Sequence, residues 1–523
     1  MTTRLSTLAL SAALIVAGGT AWAEDLRIGF ADPVSAIDPE LNNYAGDHSV
    51  AQHFFPAIVA QKTIGGMVPG LAESWKNTSP TTWEFKIRDK AVWTDGQPVT
   101  ADDIAFSYQR AQSVPGSVAS FKSFLRSVAK VEVKDPHTLV ITTKAPDPLL
   151  PINLSSIYVV SRHVGQTATT DDYNSGKAMV TDGPYAFVSY TPGDRIEMKR
   201  NDTYWGPKAQ WDKVSYRYIA NPAARTAALL SGDVDMIDKV SFSDIEKLEK
   251  NPRVKVWSYP GLRVLILQPS FNPAPSKFIT DKAGKPLDKN PLLDVRVRKA
   301  LNMAINRDAI ADRVARGGVT VATQWMPADT FGYNPDYAKI AVDPSKAKAL
   351  LAEAGYPDGF KLTIHVPGER YPLAPETAQA VAQFWTRIGV ETQVEVVPLS
   401  VYVSGANKNE YAMSMIGWGN GTGEGTYAMT SILATNDPAK GLGASNWGRY
   451  GNPKLDDALA RAGAEFDDAK REAIIKDAVK VVMDDVGVIP LYHYKNIWAS
   501  RPDLKVVPWN SDRTVAMQVS KAK

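Results

Sequence analysis

Apolar and polar positions along the chain repeat with two periods, which predict strands and helices in alternation. Alternating or short apolar runs predict strands at 26–30, 82–88, 233–236, 264–267, 362–366, 394–397 and 413–416. Apolar residues at helical spacing predict helices at 44–60, 225–230, 293–310, 346–354 and 377–388. Strands that alternate with helices form an α/β sheet, and its ligands bind at the carboxyl ends of the strands.

One stretch, residues 411–427, has an unusual pattern for a ligand edge. Its apolar run ends in a loop with glycine at the alternate positions 417, 419, 421, 423 and 425, and Trp418 is the one large side chain of that loop. Glycine allows backbone conformations closed to other residues and a close approach to another molecule. We expect Gly417, Trp418 and Gly419 to contact a ligand; the alternative is a glycine-rich turn whose Trp packs into the core.

The first residues have the pattern of a secretory signal. Arg4 is followed by a short apolar run at 8–17 and by Ala21-Trp22-Ala23, an A-x-A cleavage site. We therefore predict a signal peptide over residues 1–23 and a mature protein that starts near Glu24. No later segment has about 18 uninterrupted apolar residues, so nothing in the mature chain is expected to hold it in a membrane.

The chain contains no cysteine, which excludes disulfides, thiolate metal sites, cysteine nucleophiles and a lipid anchor on an N-terminal cysteine. Export without an anchor predicts a periplasmic location, with free secretion as the alternative. The 523-residue length predicts two or three domains. A formal net charge of +3 gives no reason to expect nucleic acid or an anionic membrane as a partner.

The sequence has no G-x-S-x-G, H-E-x-x-H or Walker A motif. The glycine loop is not a dinucleotide site either, because Thr422 and Glu424 occupy the places where a third glycine is required. The six histidines are scattered, which argues against a histidine metal site. We therefore expect a binding protein that is not an enzyme and has no cofactor and no bound metal.

Several segments occur in the order typical of one protein family. They read GLAESW (70–75), VWTDGQPVTADD (92–103), DGPY (182–185), NDTYWG (201–206), DVRVRKA (294–300) and LLAEAGY (350–356). The chain resembles the family 5 extracellular solute-binding proteins of peptide ABC importers, which include dipeptide-, oligopeptide- and nickel-binding proteins. The similarity covers nearly all of the mature chain. It implies a two-lobed α/β periplasmic binding protein clamp (type II, cluster C), with an extra α+β domain inserted in the first lobe.

The resemblance also implies a domain division. Lobe I is expected at 24–57, 181–268 and 492–523, the inserted domain at 58–180, and lobe II at 269–491. The crossings near Leu267 and Leu491 would form the hinge, because few residues need to change dihedral angles when such proteins close.

In peptide-binding relatives the loop that matches 416–422 has a Trp shortly followed by an Asp, which pairs with the free amino group of the ligand. A desolvated ammonium needs such a carboxylate. This chain keeps Gly417 and Trp418 but has Asn420 in that region and no acid before Glu424. Either Glu424 takes over the role, or the ligand lacks a buried free amine.

Dipeptide-binding relatives also hold the ligand carboxylate with an arginine at the start of the helix that matches 377–388. Here Pro375 and Glu376 stand at those positions, and Arg370 in the preceding loop is the nearest substitute. With both terminal contacts altered, longer or modified peptides fit better than a free dipeptide. Further candidates at the cleft edges are Tyr44, Trp447 and Tyr492, each of which has a core or rim position as its alternative.

We expect a periplasmic substrate-binding component of an ABC importer, which captures a peptide-like solute by lobe closure and delivers it to an inner-membrane permease. A monomer is expected. The alternative keeps the fold but binds a non-peptide solute such as a nickel chelate, haem, an opine or an oligosaccharide. A role as a chaperone or a chemoreceptor adaptor has the same sequence signature.

Overall fold

A computed structural model describes residues 25–62 and 66–522, so the predicted signal peptide lies outside the described residues. The strands are β1 Asp25–Phe30, β2 Val59–Gln61, β3 Met67–Pro69, β4 Ala72–Ser79, β5 Thr82–Ile87, β6 Val128–Asp135, β7 Thr138–Thr143, β8 Tyr185–Thr191, β9 Arg195–Arg200, β10 Lys213–Tyr218, β11 Met236–Ile237, β12 Lys255–Pro269, β13 Ile279–Thr280, β14 Val319–Val321, β15 Lys361–Pro367, β16 Glu391–Val397, β17 Met413–Gly419, β18 Ile489–Ser500, β19 Leu504–Val506 and β20 Val519–Lys521. The α-helices are α1 Ala45–Phe54, α2 Ala101–Arg110, α3 Leu150–Leu154, α4 Arg162–Gly165, α5 Thr170–Asn174, α6 Pro222–Ser231, α7 Ile245–Glu249, α8 Val295–Ala304, α9 Arg307–Ala309, α10 Pro344–Glu353, α11 Ala374–Arg387, α12 Leu399–Asn407, α13 Gly425–Ala428, α14 Pro453–Ala462 and α15 Asp468–Asp485.

One long mixed sheet runs through the molecule in the order β13-β15-β17-β12-β18-β11-β1-β10-β9-β8, with β16 added beside β15 and β14 beside β18. The antiparallel strands β12 and β18 lie at its centre and are its longest members, with 15 and 12 residues. We call the half with β8 to β11 and β1 the first lobe, and the half with β13 and β15 to β17 the second lobe.

The sheet of the second lobe is covered by a hydrophobic core on each face. Leu265 and Met415 belong to one core, which includes Trp385 of α11, while Val264 and Ile416 belong to the other. Successive side chains of a strand point to opposite faces, so an uninterrupted apolar run fills both cores. The prediction of a buried strand at each of these runs is confirmed.

The first lobe has its own core around the parallel strands β1 and β10, with Ile28, Trp211 and Trp498 fully buried. A separate antiparallel sheet, β4-β5-β7-β6, packs around a further core whose members range from Ile58 to Val159. The α/β class and an extra α+β unit thus agree with the structure. The residue boundaries of the domains stay a prediction.

Most predicted elements are present, and many differ from the observed ones at their ends. The helix predicted at 44–60 ends at Phe54, and the one predicted at 293–310 is interrupted after Ala304, where the Asn306 side chain caps the next helix at Ala309 N. The strand predicted at 413–416 continues to Gly419 because it stays paired with β12 as far as Arg263.

The pairing of β12 with β18 is interrupted where the chain passes from one lobe to the other. Pro260 lies opposite Lys495, but Val264 lies opposite His493, so the two strands are out of step between these pairs. Gly261 lies within this irregularity, where the two strands approach closely. A Cβ at this position would lie 2.7 Å from the Tyr494 carbonyl oxygen, so a larger residue does not fit without a shift. The hinge was predicted near Leu267 and Leu491. The irregularity lies a few residues away from these positions, on the side of the first lobe.

A buried ion cluster connects the first lobe to the inserted unit. Arg110, in the last turn of α2, donates to both Asp38 carboxylate oxygens, at 2.9 and 2.6 Å, and to Glu40 Oε2 at 2.8 Å. Both carboxylate side chains are fully buried. Burial raises the pKa of Glu40 to about 8, although the Arg110 guanidinium opposes this effect. Asp38 and Glu40 therefore connect the segment before α1 to α2 through one guanidinium.

We expect Glu40→Gln to make the melting temperature less sensitive to alkaline pH. The pKa of Glu40 is raised from its ordinary 4.5 on folding, so its contribution to stability is fully present below about pH 4.5 and is lost as pH rises through about 8. Between about pH 5 and about pH 9 the wild type should therefore lose more stability than Glu40→Gln. Thermal unfolding followed by circular dichroism measures this, with exposed Glu73→Gln as the control. An equal loss in wild type and Glu40→Gln would contradict the prediction.

Candidate functional site

The candidate site lies at the carboxyl ends of β15 and β17, next to the irregularity in β12. The two strands are parallel, so the loops that follow them meet at one edge of the sheet. Asn420 N donates to the Leu262 carbonyl at 2.9 Å, and the Tyr494 hydroxyl of β18 donates to the Pro372 carbonyl at 2.8 Å. Two loops and both long strands therefore converge here.

Trp418 lies within β17, opposite Val264, and its side chain is half-buried. It packs against a core of the second lobe and against Tyr427, with 6.0 Å between the ring centroids. Its indole N–H is buried and has no acceptor among the residues that the structure describes. Trp418 is therefore partly packed into the core, as the alternative in the sequence analysis expects, and its contact with a ligand stays a prediction.

Most of the alternate glycines are needed because neighbouring side chains pack against them, and not because their backbone adopts an unusual conformation. Of those in the 417–425 stretch, only Gly423 has a left-handed φ, at +68°. A Cβ on Gly417 would lie 2.6 Å from Cδ1 of the Tyr371 ring, and one on Gly419 would lie 3.1 Å from Nη2 of Arg263. Gly417 and Gly419 are thus small because other side chains cover one face of the strand.

Asn420 shapes the loop that follows β17. Its side-chain amide donates to the Glu424 carbonyl at 2.9 Å, and its side-chain oxygen accepts from the Thr422 hydroxyl at 3.3 Å. The residue is buried. Its polar groups are used within the loop, so its contribution to the site is to hold that loop in place.

Glu424 takes part in a buried ion pair. Its Oε1 accepts from Arg471 Nη1 at 3.0 Å, and its Oε2 accepts from Thr426 N at 3.1 Å and from the Thr426 hydroxyl. The Glu424 carboxylate thereby caps the start of α13. Burial raises the pKa of Glu424, while Arg471 opposes the shift. Both oxygens have partners inside the lobe, which does not support Glu424 as a substitute for the amine-binding aspartate. A ligand without a buried free amine is the alternative that we retain.

Arg370 is brought to the same edge as Trp418. Its guanidinium lies 5.5 Å from the centroid of the Tyr371 ring, the ring that packs on Gly417. Two other residues of this loop, Glu369 and Leu373, have left-handed φ values of +58° and +59°. Such conformations are costly for residues other than glycine and concentrate at functional sites.

Three predicted residues lie elsewhere. Tyr492 is buried in a core of the second lobe, where its hydroxyl lies 3.0 Å from Thr377 Oγ1, so it does not line the cleft. Trp447 lies at the opposite, amino end of β17, because its carbonyl accepts from Asn409, a residue that precedes this strand. Tyr44 is exposed at the start of α1 in the first lobe, and its contact with a ligand stays a prediction.

Sequence reasoning missed Arg263. It is half-buried and faces Gly419 across the β12–β17 pair, with no carboxylate within ion-pair distance among the described residues. The one signal in the sequence is a charged residue directly before the buried run 264–267. The strand register that brings it to Gly419 is not readable from the sequence.

The described part of the chain contains no group of three or more histidine, cysteine, aspartate or glutamate side chains that could hold a metal ion. None of the helices described is long and apolar enough to cross a membrane.

Residues 66–440 match the model of the bacterial extracellular solute-binding proteins, family 5. The chain belongs to this family. It is 26% identical to the periplasmic murein peptide-binding protein MppA of Escherichia coli over 539 residues, covering 98% of this chain and 96% of that protein. It is 28% identical to heme-binding protein A of Haemophilus influenzae over 456 residues, covering 81% of this chain and 78% of that protein.

The family 5 fold also matches solved structures. The unliganded open form of MppA superimposes with a TM-score of 0.83 at 25% identity, covering 96% of this chain and 98% of that one. The predicted two-lobed architecture is therefore confirmed. As a family 5 protein, the chain is a solute-binding component of an ABC importer, as the sequence predicts.

We expect Glu424→Gln to destabilise the family 5 protein by roughly 3–5 kcal/mol, because it leaves Arg471 buried without its buried partner. Asp468→Asn is a matched control, since Asp468 contacts the same guanidinium at 3.0 Å but its side chain is 80% exposed. Asp468→Asn should lower the free energy of unfolding by about 0–1 kcal/mol. Urea unfolding measures this free energy for both variants. A Glu424→Gln protein of unchanged stability that no longer binds solute would instead make Glu424 a ligand contact.

Proposed function

We propose that the protein captures a peptide-like solute between its lobes in the periplasm and delivers it to an inner-membrane permease, without chemical change. The observation that carries this proposal is the position of Trp418. In a family 5 chain, it presents a partly exposed aromatic ring at the carboxyl edge of the second-lobe sheet, beside the point where the lobes join. The similarity to a murein peptide-binding protein over almost the whole chain supports a peptide-like ligand.

Closure would take place at the irregularity between β12 and β18. Leu262 lies within it and binds both lobes, since its carbonyl accepts from Asn420 N and its own N–H donates to the Asn510 carbonyl at 3.0 Å. A change of dihedral angles near Gly261 moves one lobe against the other without disturbing either core. The similarity to an unliganded open form supports a structure in which the lobes stand apart.

Main-chain hydrogen bonds to an extended ligand fix its backbone without selecting its side chains. Because neither terminal contact of the dipeptide-binding relatives is present, longer or modified peptides are the favoured class. The similarity to heme-binding protein A makes haem the second candidate. Both ligands would use an aromatic platform such as Trp418.

We further propose that residues 1–23 are removed on export and that the mature protein works as a periplasmic monomer without a lipid anchor. The absence of cysteine from the sequence supports the unanchored form. The division into lobe I, inserted domain and lobe II at the predicted boundaries belongs to the same proposal.

A mixed pool of peptides of two to about eight residues should raise the melting temperature, because a ligand that binds only the folded state stabilises it by about 2.7 kcal/mol at 100 times its Kd. Differential scanning calorimetry of the cysteine-free mature protein measures the shift. Haemin and an oligosaccharide mixture are the parallel samples. A shift with haemin or sugars and none with peptides would refute the peptide proposal.

Trp418→Ala should weaken peptide binding by roughly tenfold or more, since a buried aromatic contact at the centre of a site carries much of the binding energy. Trp447→Ala is the matched control, because Trp447 is also half-buried but lies at the other end of β17. Both variants should lose about 1–3 kcal/mol of stability, and Trp418→Ala alone should lose affinity in isothermal titration. Equal affinity in the two variants would place the ligand away from Trp418.

A further inference from the structure

Phe466 makes a contact outside its own lobe that the proposed function does not use. It lies in the linker between α14 and α15, two helices that pack on the same second-lobe core as Ile416. The centroid of its ring lies 5.8 Å from that of Trp83, and the ring packs against the core of the inserted unit. The second lobe therefore touches the inserted unit directly, in addition to its connection to the first lobe through β12 and β18.

A second pair of residues brings the same two parts together. Arg126 lies just before β6 of the inserted unit, and Gly441 lies between α13 and α14 of the second lobe. A Cβ at Gly441 would lie 3.0 Å from Arg126 Nη1. The loop of Gly441 is held to its own lobe, since Gly443 N donates to the Thr430 carbonyl at 2.8 Å. Two separate segments of the second lobe thus contact the inserted unit.

This interface contains no directional bond. Within the described ranges, no hydrogen bond or ion pair connects residues 58–62 and 66–180 to residues 269–491. An aromatic pair such as Trp83 and Phe466 changes an equilibrium constant by roughly two- to tenfold. The contact is therefore strong enough to bias the positions of the lobes and weak enough to be broken during each cycle of binding and release.

Each aromatic ring is held in place by its own part of the molecule. Trp83 is buried, and its indole N–H donates to the Asp147 carbonyl at 3.1 Å. On the other side, the Asp467 side chain caps α15 directly after Phe466 by accepting from Lys470 N at 3.0 Å. The two rings therefore meet as preformed surfaces, which keeps the entropic cost of the contact low.

The linker that carries Phe466 is also connected to the candidate site. Arg471, near the start of α15, binds Glu424 at 3.0 Å, and the Glu424 carbonyl accepts from the Asn420 side chain at 2.9 Å. Both bonds lie in the buried interior of the second lobe. The loop after β17 and the linker before α15 are thus fixed to one another, so a restraint on Phe466 also restrains the loop beside Trp418.

We propose that Phe466 and Trp83 form a clasp between the second lobe and the inserted unit, which limits how far the lobes separate when no ligand is bound. The irregularity between β12 and β18 allows the lobes to rotate, and the clasp restricts this rotation from a second point outside both strands. A restricted ligand-free ensemble contains more of the arrangement that binds, which lowers the apparent Kd. The inserted unit thereby controls ligand affinity through the position of the second lobe.

The test measures the distance between spin labels on the inserted unit and the second lobe without any ligand. Val118→Cys and Val401→Cys supply exposed labelling positions in these two parts, and pulsed electron paramagnetic resonance gives the distance distribution. Phe466→Ala should raise the population at longer distances by roughly two- to tenfold relative to the wild type. Phe384→Ala is the matched control, because Phe384 is also half-buried in the second lobe but packs on the core beside α11.

A ligand-free distribution in Phe466→Ala equal to that in Phe384→Ala would overturn the clasp. If Phe466→Ala does not fold, Arg126→Ala decides by the same criterion, since Arg126 is exposed and its side chain lies against Gly441. In isothermal titration with the peptide pool, Phe466→Ala should raise the apparent Kd by roughly two- to tenfold, and Phe384→Ala should leave it unchanged. A pool that binds neither variant nor the wild type refutes the proposed function alone, because the distance measurement needs no ligand.

Discussion

The antiparallel pairing of β12 with β18 is the interaction on which the rest of the structure depends. These strands belong to the sheets of both lobes, so they fix where each core ends and where the lobes can move. The same strand β12 pairs with β17, which places Trp418 opposite Val264 and the loop at Asn420 against Leu262. The candidate site therefore lies next to the joint between the lobes.

A buried ion pair stabilises the structure beside the candidate site. Glu424 and Arg471 neutralise one another inside the second lobe and hold the start of α13. Arg263 and Arg370, on the neighbouring strand and loop, have no such partner among the described residues.

The sequence predicted the features that depend on local periodicity. Runs such as 413–416 identified buried strands. The position of Trp418 near the carboxyl end of β17 was also predictable, because it follows from the order of strands and helices. These features need only neighbours in sequence.

The remaining features depend on residues that are distant in sequence. Glu424 looked available to a ligand amine because its partner, Arg471, is 47 residues away. Tyr492 looked like a cleft residue because its burial depends on Thr377 of α11. The position of Arg263 opposite Gly419 depends on the register of β12 against β17. A shift of one residue would place its side chain on the other face of the sheet.

Lobe closure around a ligand at this edge is measured most directly by the distance between spin labels on the two lobes. The chain has no cysteine, so Val118→Cys and Val401→Cys can be labelled without background, and both positions are exposed, at 81% and 54%. Pulsed electron paramagnetic resonance should show this distance change when the peptide pool is added. At a peptide concentration near the Kd of the wild type, the change should be much smaller in Trp418→Ala, which is expected to bind roughly tenfold more weakly. A peptide that raises the melting temperature of the wild type but leaves the distance unaltered would contradict capture by closure.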